Sequence, residues 1–167
     1  TDPAELGAFM DDLMAAQMDT NHFPGAVVVV VKDGQVFFAK GYGYADLEAR
    51  IPVDPEHTLF STGSAAKPFV WTAVMQLVEQ GKLDLDKDVN TYLDFKIPER
   101  NGKPITLRNI LTHTAGFEET VRHLIHDNPD KLVPLDKFVK VSLPNRVFDA
   151  GTTPAYSNYA TALAGYI

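Results

Sequence analysis

The 167-residue chain contains no cysteine. This absence excludes disulfide bonds, thiolate zinc sites and a cysteine nucleophile, while it leaves the cellular compartment open. Basic residues are also scarce, because 15 Lys and Arg stand against 22 Asp and Glu, which gives a net charge of −7. A protein that binds a nucleic-acid backbone needs a basic face, so the charge balance argues against nucleic acid as a partner.

Long hydrophobic runs are missing as well. The longest apolar run, residues 26–31, is far shorter than the roughly 20 residues of a membrane-spanning helix, so we expect no membrane span. The first residues, 1–3, lack the basic and apolar regions of a targeting segment. Hydrophobic residues make up 45% of the chain and charged residues 22%. This is the composition of a globular protein that can bury a core.

The N-terminal part of the sequence predicts a helix followed by a β-hairpin. Apolar side chains recur at helical spacing over residues 3–19. Asp33 and Gly34 are typical of a two-residue hairpin turn, here between strands predicted at 26–31 and 35–40. Because the first of these strands is apolar on both faces, we expect it to lie centrally in a covered sheet.

The rest of the sequence predicts mostly helices and loops. A helix is predicted from about Ser64 to Gln80, where Gly81 ends it. Its middle is apolar on nearly every side, so we expect it to be buried all round. The other predicted elements are a loop containing Gly41 and Gly43, a short strand at 59–61, and helices at 107–112, 121–126 and 135–141.

Ser64 and Lys67 are the first candidate catalytic residues. Their spacing of three places both on one face of a helix, one turn apart. A serine hydroxyl becomes a nucleophile when a nearby base takes its proton, and an amine is a usable base when burial or cations lower its pKa. The N-terminus of a helix also favours a developing oxyanion. In the alternative interpretation, Ser64 caps the helix and Lys67 is solvated.

Tyr156 and Asn158 form the second candidate pair. A phenol serves as a base or an acid when cations stabilise its phenolate form. An asparagine side chain offers one acceptor and two donors, which is enough to bridge a lysine and a substrate carbonyl. The alternative is a turn with a packed aromatic ring.

In their order along the chain, the Ser64-x-x-Lys67 and Tyr156-x-Asn158 patterns resemble the motifs of the serine β-lactamase and penicillin-binding-protein superfamily. The resemblance spans the chain from about Gly25 to Ile167. The Tyr-x-Asn form of the second motif is similar to that of class C β-lactamases, D,D-carboxypeptidases and family VIII esterases. The matching segments are 60–67 (FSTGSAAK), 73–86 (AVMQLVEQGKLDLD), 105–116 (ITLRNILTHTAG) and 156–158 (YSN).

The resemblance implies an α+β fold, in which an antiparallel sheet is flanked by helices and joined to a mainly helical region. It implies that Ser64 is the acylated nucleophile, with its backbone N–H as one half of the oxyanion hole. Lys67 then accepts or relays the serine proton, and Tyr156 is the general base and acid. Asn158 orients Lys67 and the substrate amide.

The family's third motif, Lys or His followed by Thr-Gly, occurs nowhere in the 167 residues. We therefore expect a partial catalytic domain that is inactive alone. Its N-terminal helix and first strands would lie in residues 1–62, and its mainly helical region in residues 63–167. A second chain or self-association would supply the missing strands. The resemblance also favours a periplasmic or secreted location.

The expected function is that of a serine hydrolase acting through an acyl-enzyme. The resemblance implies a small-molecule or peptide substrate, namely a β-lactam, a D-amino-acid peptide or an ester, and neither cofactor nor metal. The alternative is a non-catalytic binding or scaffold protein with the same fold.

His113 matches no catalytic position, and we expect it to fix a loop by hydrogen bonding. His123 and His126 have the spacing of metal ligands on a helix, but an exposed polar helix end is the favoured interpretation.

Overall fold

The computed structural model describes residues 2–120 and 128–167. The chain comprises two compact units, Thr1–Ser61 and Thr62–Ile167. The predicted organisation as a partial catalytic domain, with a boundary after residue 62, stays a prediction. Across the described residues, no helix combines the length and the apolar character that a membrane crossing requires.

The first unit begins with helix α1, Pro3–Asn21. The Asp2 carboxylate accepts a hydrogen bond of 3.2 Å from the Ala4 N–H and so caps the helix. Pro3 suits the first turn, where a backbone N–H has no intrahelical acceptor. The helix ends at Asn21, and His22 follows as its C-cap, where a φ of 54° turns the chain away from the helical path. The helix predicted for residues 3–19 is confirmed, and it continues to Asn21.

A three-stranded antiparallel sheet completes the first unit. Its strands are β1 (Gly25–Lys32), β2 (Gln35–Asp46) and β3 (Ile51–Pro52), in the order β1-β2-β3. Asp33 and Gly34 form the turn between β1 and β2, with φ values of 51° and 74°. Positive φ at both turn residues matches the right-handed twist of the flanking strands, so the predicted hairpin is confirmed.

β1 lies at the edge of this sheet, and β2 is the central strand. The prediction of a central, covered β1 is therefore wrong for the described part of the chain. Val29 and Val31 keep 50% and 63% of their surface exposed. The physical reason is that a central strand needs a partner on each side, and residues 2–120 and 128–167 give β1 only β2.

β2 continues through Gly41 and Gly43, contrary to the loop prediction. A Cβ atom added to Gly41 would lie 2.1 Å from the Val53 carbonyl oxygen, so close approach of another backbone segment explains this glycine. The short strand predicted at 59–61 is also wrong, because these residues form no strand. The strand that pairs with the end of β2 is Ile51–Pro52.

The long helix of the second unit starts with a single 3₁₀ turn, Gly63–Ala66, and continues as α2, Lys67–Glu79. Gly81, with φ of 70°, follows its end as predicted. The expectation of burial all round is wrong: within α2 only Val74 is buried, and Phe69 is 78% exposed. The described residues pack against one side of α2 only, so its remaining apolar side chains meet solvent.

Among the described residues of the second unit, three shorter helices follow: α3 (Leu107–Leu111), α4 (Leu135–Val141) and α5 (Asn158–Tyr166). α3 and α4 are confirmed at the predicted places. The helix predicted at 121–126 falls outside the described residues. Two single-turn 3₁₀ helices lie at Val89–Thr91 and Pro129–Lys131.

The core of the second unit joins α3 and α5 with the segment that follows α3. Leu107 and Leu163 are fully shielded from solvent, and burial of a leucine side chain contributes about 2 kcal/mol. Phe117 meets Tyr159 edge to face, with ring centroids 5.0 Å apart. The Tyr159 hydroxyl donates a hydrogen bond of 2.7 Å to the Val139 carbonyl oxygen. This packing fixes the segment after α3 and the start of α5 against each other.

Candidate active site

The four predicted site residues come together in the second unit. Ser64 lies in the 3₁₀ turn, Lys67 is the first residue of α2, and Asn158 is the first residue of α5. The Lys67 Nζ atom lies 3.0 Å from Ser64 Oγ and 2.8 Å from Asn158 Oδ1. Ser64 Oγ lies 2.5 Å from the Tyr156 hydroxyl oxygen. Chain positions 92 residues apart thus meet within hydrogen-bond distance.

The donors and acceptors of this cluster give the Ser64 proton a direction when Tyr156 is a phenolate. A lysine ammonium only donates, so Ser64 Oγ accepts from Lys67. In its neutral form, the Tyr156 hydroxyl donates to Asn158 Oδ1 over 3.3 Å. Either oxygen can donate in the contact between Ser64 and Tyr156, and when Tyr156 is a phenolate the Ser64 hydroxyl is the donor. The capping alternative fails, because Ser64 lies inside the turn and its hydroxyl contacts Lys67 and Tyr156.

The surroundings of Tyr156 favour its phenolate form. Hydrogen bonding from Lys67 and then from Ser64 lowers the pKa of Tyr156 below the ordinary tyrosine value, and the charge of Lys67 acts in the same direction. The Lys67 Nζ atom also lies 4.8 Å from the centroid of the Tyr156 ring. By contrast, burial and the Asp11 carboxylate raise the pKa of Tyr42 to about 12. The lowered value is therefore specific to the surroundings of Tyr156.

His113 supports Tyr156 from the side. Its ring packs against the Tyr156 ring at a centroid distance of 4.6 Å and meets the Trp71 ring edge-on at 5.5 Å. Its Nδ1 atom accepts a hydrogen bond of 3.3 Å from the Ser157 N–H, which agrees with the predicted loop-fixing role. Burial, and then the charge of Lys67, lower the pKa of His113 below the usual histidine value. The contact between the two rings was not predicted from the sequence.

Glu119 is a further member of the cluster that the sequence does not reveal. Its Oε2 atom accepts a hydrogen bond of 3.0 Å from the Asn158 backbone N–H. Its Oε1 atom accepts one of 2.7 Å from Asn158 Nδ2. No sequence signal marks this glutamate, because Glu118 beside it has the same side chain and both are exposed.

The cluster is open to solvent on the side of the nucleophile. Ser64 is exposed, Tyr156 keeps 44% of its surface accessible, and Lys67 is partly buried. A carbonyl compound can therefore reach the serine hydroxyl. In the described ranges, no group of three or more His, Cys, Asp or Glu side chains has a metal-binding arrangement. His123 and His126 lie outside those ranges.

Comparison with known proteins places these residues in a family context. The putative penicillin-binding protein PbpX of Bacillus subtilis is 40% identical over 105 residues, which cover 63% of this chain and 26% of PbpX. A class C β-lactamase structure matches with a TM-score of 0.74 at 32% identity, over 99% of this chain and 44% of the other. The structure of EstCE1, a hydrolase with promiscuous acyltransferase activity, matches with a TM-score of 0.77 at 25% identity, over 96% and 46%.

These matches cover most of this chain but only a part of each related protein. The chain spans about a quarter of the length of the curated relatives it matches, and less than half of the two solved structures. The Beta-lactamase family model matches residues 10–167. The helices and the small antiparallel sheet form part of a β-lactamase/transpeptidase-like α+β fold. The chain belongs to the Beta-lactamase family.

Proposed function

We propose that this chain carries the nucleophile region of a serine hydrolase that works through an acyl-enzyme. One observation carries the proposal: the Ser64 hydroxyl lies between the Lys67 amine and the Tyr156 phenol, at 3.0 Å and 2.5 Å. A serine needs a base within hydrogen-bond reach, and a base needs a partner that tunes its proton affinity. Both requirements are met around Ser64.

The first chemical step follows from the direction of the Ser64 proton. In the reacting form Tyr156 is a phenolate, and the Ser64 proton passes to its oxygen while Ser64 Oγ attacks the substrate carbonyl carbon. The ammonium of Lys67 stabilises the negative charge on the phenolate before the proton transfer. It also stabilises the negative charge that develops on the Ser64 oxygen during the transfer. Tyr156 then returns the proton to the leaving group, which completes the acyl-enzyme. Water then attacks the acyl carbon and gives a proton to Tyr156, and Ser64 Oγ regains this proton as its bond to the acyl group breaks.

The negative charge on the substrate oxygen needs donors of its own. Ser64 lies in the first turn of a helical segment, where backbone N–H groups have no intrahelical acceptor. We assign one half of the oxyanion hole to the Ser64 N–H. The other half would come from outside these 167 residues, so we expect negligible turnover from the chain alone.

The proposed substrates share one chemical feature, a reactive carbonyl group. A β-lactam, a D-amino-acid peptide and an ester all present a carbonyl carbon to the same acyl-transfer chemistry. The names of the structural relatives, a class C β-lactamase and a hydrolase with acyltransferase activity, favour this range.

A second chain or a second copy would complete the sheet beside β1. The periplasmic or secreted location stays a prediction.

The test is covalent labelling of Ser64 in the longest natural form of the protein that contains this chain. The protein is incubated with a fluorescent penicillin and with p-nitrophenyl esters, and adducts are located by mass spectrometry. We expect an adduct on Ser64 that Ser64→Ala abolishes and Ser61→Ala, a change at an exposed serine nearby, leaves in place. A protein that never acylates at Ser64 would support the non-catalytic alternative. Full turnover by the 167 residues alone would contradict the need for further strands.

A further inference from the structure

Glu119 makes a pair of contacts that the acyl-enzyme scheme does not use. Both oxygens of its carboxylate accept hydrogen bonds from one residue, Asn158, at 3.0 Å from the backbone and 2.7 Å from the side chain. Asn158 is the first residue of α5, where backbone N–H groups lack intrahelical acceptors. A carboxylate is favoured at that place by the helix dipole as well.

The Asn158 amide has an acceptor end, Oδ1, and a donor end, Nδ2, and each neighbour can form a hydrogen bond with only one of them. The Lys67 ammonium only donates, so it requires the Oδ1 end at 2.8 Å. The Glu119 carboxylate only accepts, so it requires the Nδ2 end at 2.7 Å. Both contacts therefore demand the same orientation of the amide. A flipped amide would set N–H donors against the ammonium and an oxygen against the carboxylate.

We propose that Glu119 is a positioning residue for acylation, which fixes the Asn158 amide and through it holds the Lys67 amine against Ser64. The inference rests on the proposed function. Asn158 Oδ1 is shared by Lys67 and Tyr156, at 2.8 Å and 3.3 Å, so a rotated amide would disturb both partners of the nucleophile at once.

Electrostatics separates this role from a purely structural one. The negative charge of Glu119 raises the pKa of Tyr156, against the larger effects of Lys67 and Ser64. Removal of the charge therefore moves the titration of Tyr156 downwards. A residue that only supported the fold would change stability and leave the titration of the folded protein unchanged.

Glu119→Gln is the discriminating variant. A glutamine offers one oxygen and one N–H₂ group, so one of the two Asn158 donors would face another donor. Loss of a charge-assisted hydrogen bond of this kind corresponds to an acylation rate lowered about 10-fold or more. Glu118→Gln is the matched control, because Glu118 is also exposed and its Oε2 atom accepts from Asn145, outside the cluster.

The experiment measures the rate of Ser64 acylation by a fluorescent penicillin, together with the phenolate absorbance of Tyr156 against pH, in the longest natural form of the protein. We expect Glu119→Gln to acylate about 10-fold or more slowly than wild type and to titrate Tyr156 at lower pH. We expect Glu119→Asp, which keeps the charge, to restore part of the rate. Glu118→Gln should match wild type in both measurements.

Two negative results would be distinct. If the wild-type protein never acylates, the proposed function fails, and the role of Glu119 in acylation fails with it. If wild type acylates and Glu119→Gln keeps the wild-type rate and titration, only the role of Glu119 is overturned. If Glu119→Gln does not fold, Glu119→Ala, which removes both acceptor oxygens, carries the comparison, and an unchanged rate in that variant would also overturn the role.

Discussion

Lys67 donates to both Ser64 and Asn158, so one amine sets the distances among most of the candidate residues. The same amine lies over the Tyr156 ring, 4.8 Å from its centroid. A single positive charge in such a cluster acts on every neighbouring group that titrates. Lys67 is accordingly the residue whose removal has effects beyond its own hydrogen bonds.

A first prediction concerns the phenol. Replacement of Lys67 by methionine keeps the length of the side chain and removes the charge, so the pKa of Tyr156 should rise from its lowered value. The measurement is ultraviolet absorbance of the phenolate against pH, with Tyr156→Phe to assign the signal among the six tyrosines. Lys103→Met, a change at an exposed lysine, is the control. An unchanged Tyr156 titration in Lys67→Met would contradict the electrostatic account.

The sequence reveals the local part of the site and misses the distant part. Ser64 and Lys67 are three residues apart, so helical periodicity alone predicts that their side chains meet. The contact of Glu119 with Asn158 joins residues 39 positions apart. It depends on how the segment after α3 folds over α5, and no periodic pattern encodes that. The packing of His113 on Tyr156 was missed for the same reason.

At the scale of elements, α3 links the core to the candidate site. It is only one and a half turns long, Leu107–Leu111, and such a short helix is not stable in isolation. Its N-terminus carries a capping box, in which Thr106 and Asn109 bond to each other's backbone N–H groups. The segment with His113 and Glu119 begins directly after this helix. The cap therefore supports the position of both residues.

A second prediction follows for this cap. Thr106→Ala removes the side-chain oxygen that accepts from the Asn109 N–H, and it should lower the free energy of unfolding by about 1 kcal/mol. Urea denaturation of the wild-type protein and of Thr106→Ala measures the difference in the free energy of unfolding. Thr72→Ala serves as the control, since Thr72 is exposed on α2 and a change there should stay within about 0.5 kcal/mol. Equal losses in the two variants would show that the capping box is not the cause.

Elements with local signals were predicted well, and those that depend on neighbours were not. The hairpin turn at Asp33 and Gly34 and the helix α4 follow from short-range patterns. Burial of α2 and the central place of β1 were inferred from apolar surface alone. Apolar side chains indicate that a surface will be buried, but they do not indicate which other segment will bury it.

At the scale of the whole molecule, the outer edge of β1 is open. Within the described residues β1 pairs only with β2, and its outer backbone groups lie next to exposed valines. An open, apolar strand edge is a template for another strand. We therefore expect this edge to pair with further strands, in line with the proposal that a second chain or a second copy completes the sheet.

A third prediction concerns the association of the 167-residue chain. We expect size-exclusion chromatography with light scattering to detect oligomers whose fraction grows with concentration. Val31→Lys, at an edge position that is 63% exposed, should reduce association, because a charge on an edge strand opposes pairing. The matched control is Leu132→Lys, at an apolar side chain outside the sheet that is 59% exposed. A monomeric wild-type chain at all concentrations would refute the prediction.

The ring stack at the candidate site has a practical consequence. Trp71 is the single tryptophan of the chain, and its ring meets His113, which in turn packs on Tyr156. The tryptophan fluorescence of the protein therefore originates two rings away from the nucleophile. A displacement of Tyr156, or protonation of His113, changes the surroundings of this single tryptophan. The molecule thus contains its own optical reporter, and the absence of native thiols leaves every engineered cysteine free for a second dye.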